Sequence, residues 1–182
     1  MREQRADGRK LLFWRAVFLL VAIMLSITAC SSPAQRIDST ASKFGMERRV
    51  VIGADFRHVI YLRISSPESD RLHVYIDGDG KPWLNGRYIA EDPTSERSLA
   101  LALANLDKEN ILYLGRPCYM GLFNDGLCEE KYWTSARYSA EGVASMVAVL
   151  RNIVDDIGVS RVNLFGYSGG GSIAMLMAAY SL

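Results

Sequence analysis

The chain has little excess charge: 21 basic residues face 20 acidic ones, for a net charge of +1 over 182 residues. It has two histidines, three cysteines and five prolines. So few cysteines exclude a scaffold built on disulfides. The balanced charge leaves no basic footprint for nucleic acid. With 49% apolar residues the chain is no disordered polymer. It also lacks a long apolar run. The longest uninterrupted one, Ala16 to Leu25, is short of the ~20 residues that a membrane-spanning helix needs. Length and composition fit one globular domain, and no internal repeat is visible.

What charge there is divides unevenly. Residues 1–29 carry a net +3, from Arg2, Arg5, Arg9, Lys10 and Arg15 against Glu3 and Asp7, and the remainder a net −2. A basic start followed by a short apolar stretch is the plan of a secretory signal. Ile27-Thr28-Ala29-Cys30 resembles the lipobox of bacterial lipoproteins. The resemblance implies cleavage after Ala29 and lipid on Cys30, which would anchor a mature chain of 153 residues in a membrane. A plain signal peptide or an anchor helix is the alternative. The serine at position 31 implies an outer-membrane lipoprotein facing the periplasm. Residues 30–44 are small and polar and are expected to be a flexible tether. In an oxidising compartment Cys118 and Cys128 are expected to pair, worth roughly 2.5–3 kcal/mol for a loop of this size. The alternatives are two free thiols or a two-cysteine metal site, for which no further ligand sits nearby.

From residue 45 onward the pattern alternates. Arg49–Ile52 and His58–Ile64 read as an antiparallel pair, and Leu72–Asp77 as a third strand ending at Gly78-Asp79-Gly80. Asp92-Pro93 is expected to open a helix running to about Leu106, with Leu99, Leu103 and Leu106 on one face. Ile111–Leu114 is a fourth strand. Ser139 is expected to cap a helix whose core stripe is Val143, Met146, Val147, Leu150, Val154 and Ile157, ended by Gly158. Val162–Phe165 is a fifth strand, and a helix of small residues runs from about Gly169 to the end. This is an α/β chain with a mostly parallel sheet and helices on both faces.

Gly166-Tyr167-Ser168-Gly169-Gly170 contains Gly-x-Ser-x-Gly between that strand and that helix. A catalytic serine needs such a sharp strand-to-helix turn, glycines beside it, and N–H groups at a helix start to hold an oxyanion. Ser168 is the candidate nucleophile, and the backbone N–H of Gly169 one candidate donor. A second donor should come from the turn after the third strand: Asp79 first, Gly78 as the alternative. Gly78 and Gly80 also suit an ordinary tight turn. Asp77 and Asp79 are metal-ligand types, but nothing else completes a metal site.

With Ile76-Asp77-Gly78-Asp79-Gly80-Lys81-Pro82-Trp83, Gly115-Arg116-Pro117-Cys118 and Trp133 to Ser139, the serine motif resembles the α/β-hydrolase family. More narrowly, it resembles its bacterial lipoprotein members. The likeness covers residues 45–182 and the N-terminal two-thirds of such a domain. It implies hydrolysis of small ester or acyl substrates through an acyl-enzyme, without metal or organic cofactor. The family's acid and histidine follow the serine in the chain, yet none of the 14 residues after Ser168 is Asp, Glu or His. His58 and His73 lie upstream, and His73, expected at the opposite sheet edge from the serine, is expected to be structural. A serine with no base is a poor nucleophile. The chain as given is therefore expected to be inactive, a fragment whose fifth strand lies on an exposed edge. The alternatives are a non-catalytic lipid-anchored binding module and a structural lipoprotein with an accidental motif. Trp83, Tyr119 and Trp133 could line a pocket, though loop aromatics more often serve packing.

Overall fold

The structure is a computed structural model that describes residues 14–15, 17–19 and 31–180. The expected signal cleavage site and Cys30 lie outside the described residues. Contacts divide the chain into two units, Met1–Ser31 and Ser32–Leu182. In the first, Trp14, Arg15 and residues 17–19 are helical. No helix among the described residues is long and apolar enough to cross a membrane.

The second unit opens with a correction. The expected tether is, over Pro33–Lys43, a helix (α1). Ser32 accepts from the Gln35 N–H while the Gln35 side chain accepts from the Ser32 N–H, and Pro33 sets the first turn. Ala34, Ile37 and Ala41, spaced by three and four residues, are buried. The polar composition hid a narrow apolar stripe and a complete capping box.

Strands β1 (Glu47–Ile52) and β2 (Arg57–Arg63) form the expected hairpin, with Val51 opposite His58. β3 is Arg71–Ile76, followed by a two-stranded hairpin of β4 (Trp83–Leu84) and β5 (Tyr88–Ile89). Three residues, 85–87, join them: Asn85 and Gly86 turn the chain at φ of 52° and 67°, and the Arg87 N–H donates to the Leu84 carbonyl at 3.0 Å. Helix α2 is Leu99–Leu106, β6 is Asn110–Leu114, α3 is Ala140–Ile157, β7 is Arg161–Gly166 and α4 is Gly169–Tyr180.

Helix α2 corrects a second expectation. Asp92 closes a local turn on the Thr94 N–H, and Ser98 caps the helix by accepting from the Leu101 N–H. Its buried face is Ala100, Leu101 and Ala104, while Leu99, Leu103 and Leu106 are exposed. Small residues let the helix approach the sheet closely, and the expected leucine stripe faces outward. Helix α3 bears out its reading: Ser139 accepts from the Gly142 N–H, and Gly158 ends it at a φ of 72°.

The five-stranded sheet has the order β1-β2-β6-β3-β7. β1, β2 and β6 run antiparallel in turn, whereas β6, β3 and β7 are parallel. Side chains alternate across it, as a period of two dictates. Val59, Tyr61, Tyr75, Ile111 and Tyr113 face a core shared with α1 and α2. Ile60, Leu62, Val74, Ile76, Leu112 and Leu114 face one shared with α3 and α4. β7 forms one edge of the sheet, with Phe165 41% exposed.

Candidate active site

The parallel register of β3 and β7 brings two turns together. β3 ends at Ile76 opposite Gly166, so residues 77–80 leave the sheet beside residues 167–169. The Tyr167 N–H extends the ladder by donating to the Ile76 carbonyl at 3.0 Å. Ser168 then adopts a φ of 52°. A non-glycine residue in this left-handed region costs on the order of 1–3 kcal/mol and persists only where its surroundings enforce it. Here Gly170 and Gly171 donate N–H bonds to the carbonyls of Tyr167 and Ser168 at 2.8 and 2.9 Å, starting α4 at once.

The two glycines of the motif are required by close backbone approach. A Cβ on Gly166 would stand 2.3 Å from the Gly170 carbonyl oxygen, and one on Gly170 2.3 Å from that of Ile76. Ser168 is exposed, and its hydroxyl has no hydrogen-bond partner among the described residues. The 77–80 turn abuts it: a Cβ on Gly78 would lie 3.2 Å from Ser168 Cβ.

The two candidates in that turn separate. The Gly78 N–H is engaged by the Asp77 carboxylate at 3.0 Å. The N–H groups of Asp79 and Gly169 have no acceptor among the described residues. Asp77 also accepts from the Tyr113 hydroxyl at 3.3 Å. Among the described residues no group of three or more His, Cys, Asp or Glu could hold a metal.

The Asp79 side chain is ringed by donors that sequence reading assigned no role. Arg116 Nη1 donates to it at 2.6 Å, and the Tyr138 hydroxyl lies 3.0 and 2.8 Å from its two oxygens. Arg137 Nε forms an ion pair at 3.1 Å. Burial pushes the Asp79 carboxyl up, but the bonds from Arg116 and Tyr138 and the two guanidinium charges outweigh it and hold the group below its ordinary range. Arg116 and Tyr138 lie in two segments singled out in sequence, Gly115–Cys118 and Trp133–Ser139, which is the signal that could have found them.

Cys118 and Cys128 are bonded. Tyr119 and Trp133 are buried and serve packing: the Tyr119 hydroxyl donates to the Asp79 carbonyl, and Trp133 Nε1 to that of Ala90. Trp83 is exposed on the small hairpin. Neither histidine serves Ser168. His58 is buried, with Nδ1 2.9 Å from the Gly115 carbonyl and Nε2 2.8 Å from Ser145 Oγ. His73 lies away from the serine's end of the sheet, as expected. It sits on the strand next to β7, opposite Asn163, in register five residues short of Ser168. Its Nδ1 meets Asp107 at 2.5 Å and its Nε2 meets the Asn163 side chain at 3.0 Å.

No protein-family model matches the chain, and no curated protein matches it. Solved structures do. A membrane phospholipase A is 20% identical, with 94% of this chain and 47% of that one covered and a TM-score of 0.48. A hormone-sensitive lipase from a metagenome library is 15% identical, with 92% and 53% covered and a TM-score of 0.44. An esterase of Pyrococcus furiosus is 13% identical, with 82% and 51% covered and a TM-score of 0.46. The chain thus spans about half the length of these structures. The chain is an α/β fold in which an antiparallel hairpin leads into parallel strands, helices cover both faces of the sheet and a left-handed serine turns out at the end of β7.

Proposed function

We propose that this chain carries the nucleophile and oxyanion half of a serine hydrolase acting on small ester or acyl substrates. The observation that supports this most is the left-handed turn of Ser168, which leaves its hydroxyl exposed against the 77–80 turn. In the reaction, Ser168 Oγ adds to the acyl carbon and gives its proton to a base. The carbonyl oxygen becomes an oxyanion held by the N–H groups of Gly169 and Asp79. Collapse breaks the bond to the leaving oxygen, which takes up a proton, and water then hydrolyses the acyl–serine ester. His58 and His73 hold other partners, so neither is that base.

The same commitment of both histidines favours a second reading, a lipid-anchored binding module that keeps the fold without turnover. In both readings Cys30 is lipidated and the domain faces the periplasm from the outer membrane. The lipobox-like sequence and the Cys118–Cys128 bond support that placement. Labelling with a fluorophosphonate separates the two. A nucleophilic Ser168 takes the phosphonyl group with loss of fluoride, and Ser168→Ala does not. Equal labelling of both forms rejects the hydrolase reading.

A further inference from the structure

Asp79 stands where the turn after β3, the cysteine loop and the start of α4 meet. It is held at two points. Its carbonyl accepts from the Tyr119 hydroxyl at 3.0 Å, and its carboxylate accepts from Arg116 and Tyr138. Arg116 is 3% exposed and ties the cluster further, donating through Nη2 to the Arg137 carbonyl at 3.0 Å. Its guanidinium also lies 4.9 Å from the centre of the Tyr119 ring. All of these donors come from one segment, residues 116–138, which the Cys118–Cys128 bond closes at one end.

The carboxylate also reaches the elbow. A Cβ on Gly169 would stand 2.1 Å from Asp79 Oδ1 and 2.6 Å from the Tyr138 hydroxyl. The bare Cα of Gly169 therefore packs on the fastened carboxylate, next to Ser168. A lone carboxylate there would repel an oxyanion. Two guanidinium groups, Arg116 and Arg137, pair with it and offset its charge.

From this geometry we infer that the Asp79 carboxylate is a positioning group: clamped by Arg116 and Tyr138, it fixes the Asp79 N–H beside Ser168. The inference rests on Ser168 being the nucleophile. It differs from a purely electrostatic role in sign. Removing the negative charge would favour an oxyanion if charge alone mattered, whereas loss of the clamp misplaces a donor. Misplacement by about 1 Å can cost roughly 10²-fold in rate.

The test is the concentration dependence of fluorophosphonate inactivation of the full chain, for wild type, Ser168→Ala, Asp79→Asn and Tyr138→Phe. Expected is a fall on the order of 10²-fold in the limiting rate for Asp79→Asn, and a smaller fall for Tyr138→Phe, which loses one hydroxyl. The half-saturating concentration and the final labelled fraction should stay as in wild type. A merely structural role would lower the labelled fraction and leave the rate of the folded molecules unchanged, and that result overturns the inference. So does an Asp79→Asn or a Tyr138→Phe protein that reacts as fast as wild type or faster while Ser168→Ala is silent. Equal labelling of wild type and Ser168→Ala overturns the nucleophile reading itself, and the positioning role with it. Tyr138→Phe decides the matter if Asp79→Asn does not fold.

Discussion

At the scale of single residues, the strongest constraint lies on positions that carry no chemistry. Gly169 has no Cβ because a clamped carboxylate and a phenol occupy that space. Gly169→Ala must push the Asp79 cluster aside, which should cost on the order of 1–3 kcal/mol, the usual range for overpacking. In an Asp79→Ala background the carboxylate is gone but the Tyr138 hydroxyl, 2.6 Å from that Cβ, remains, so part of that cost should vanish. Denaturant melts of the two single variants and the double variant check this. Additive effects would mean that the two residues do not meet. The serine motif was legible because its residue types are dictated by backbone geometry. Gly166 and Gly170 have no room for a side chain, and a strand and a helix flank them in sequence. The clamp was not legible. Asp79, Arg116 and Tyr138 are far apart in the chain, and only folding decides whether a charged side chain meets solvent or a partner.

At the scale of elements, His58 ties β2 to the residue that follows β6 and to α3 through Gly115 and Ser145. Burial drives its pKa down to about 4, with the backbone bond to Gly115 opposing only in part. The unfolded chain, with an ordinary histidine near 6.5, binds that proton first. Stability from His58 is therefore complete above pH 6.5 and declines as the pH falls toward 4. Melting temperature measured across that window should drop, and His58→Gln should flatten the slope. An unchanged slope in the variant would reject the assignment. Asp107, bonded to His73 and Tyr75, adds its own loss only at lower pH: burial opposes but those bonds prevail, holding it at about 2. Elements with strong periodicity and paired caps, such as α3, were readable from sequence. α1 was missed because its apolar stripe is three residues deep in a polar stretch. The start of α2 was misplaced because Asp92 bonds the Thr94 N–H locally instead of capping a helix.

At the scale of the whole molecule, β7 is an outer strand of the sheet, with no further strand beside it among the described residues. Beside it α4, which is apolar on all sides, leaves Met175 77% exposed, along with Leu176 and Tyr180. An unpaired edge next to apolar surface invites association. The 182-residue chain purified alone should therefore form larger species as its concentration rises, and Met175→Lys should move the sedimentation profile toward monomer. A chain that stays monomeric at every concentration would contradict this. The central claim, that Ser168 is a nucleophile facing the amides of Gly169 and Asp79, is tested most directly by a crystal structure of the phosphonylated protein. The account predicts phosphorus on Ser168 Oγ, with the phosphonyl oxygen about 2.7–3.1 Å from both N–H groups. Phosphorus on another residue, or an oxygen turned away from those amides, would contradict it.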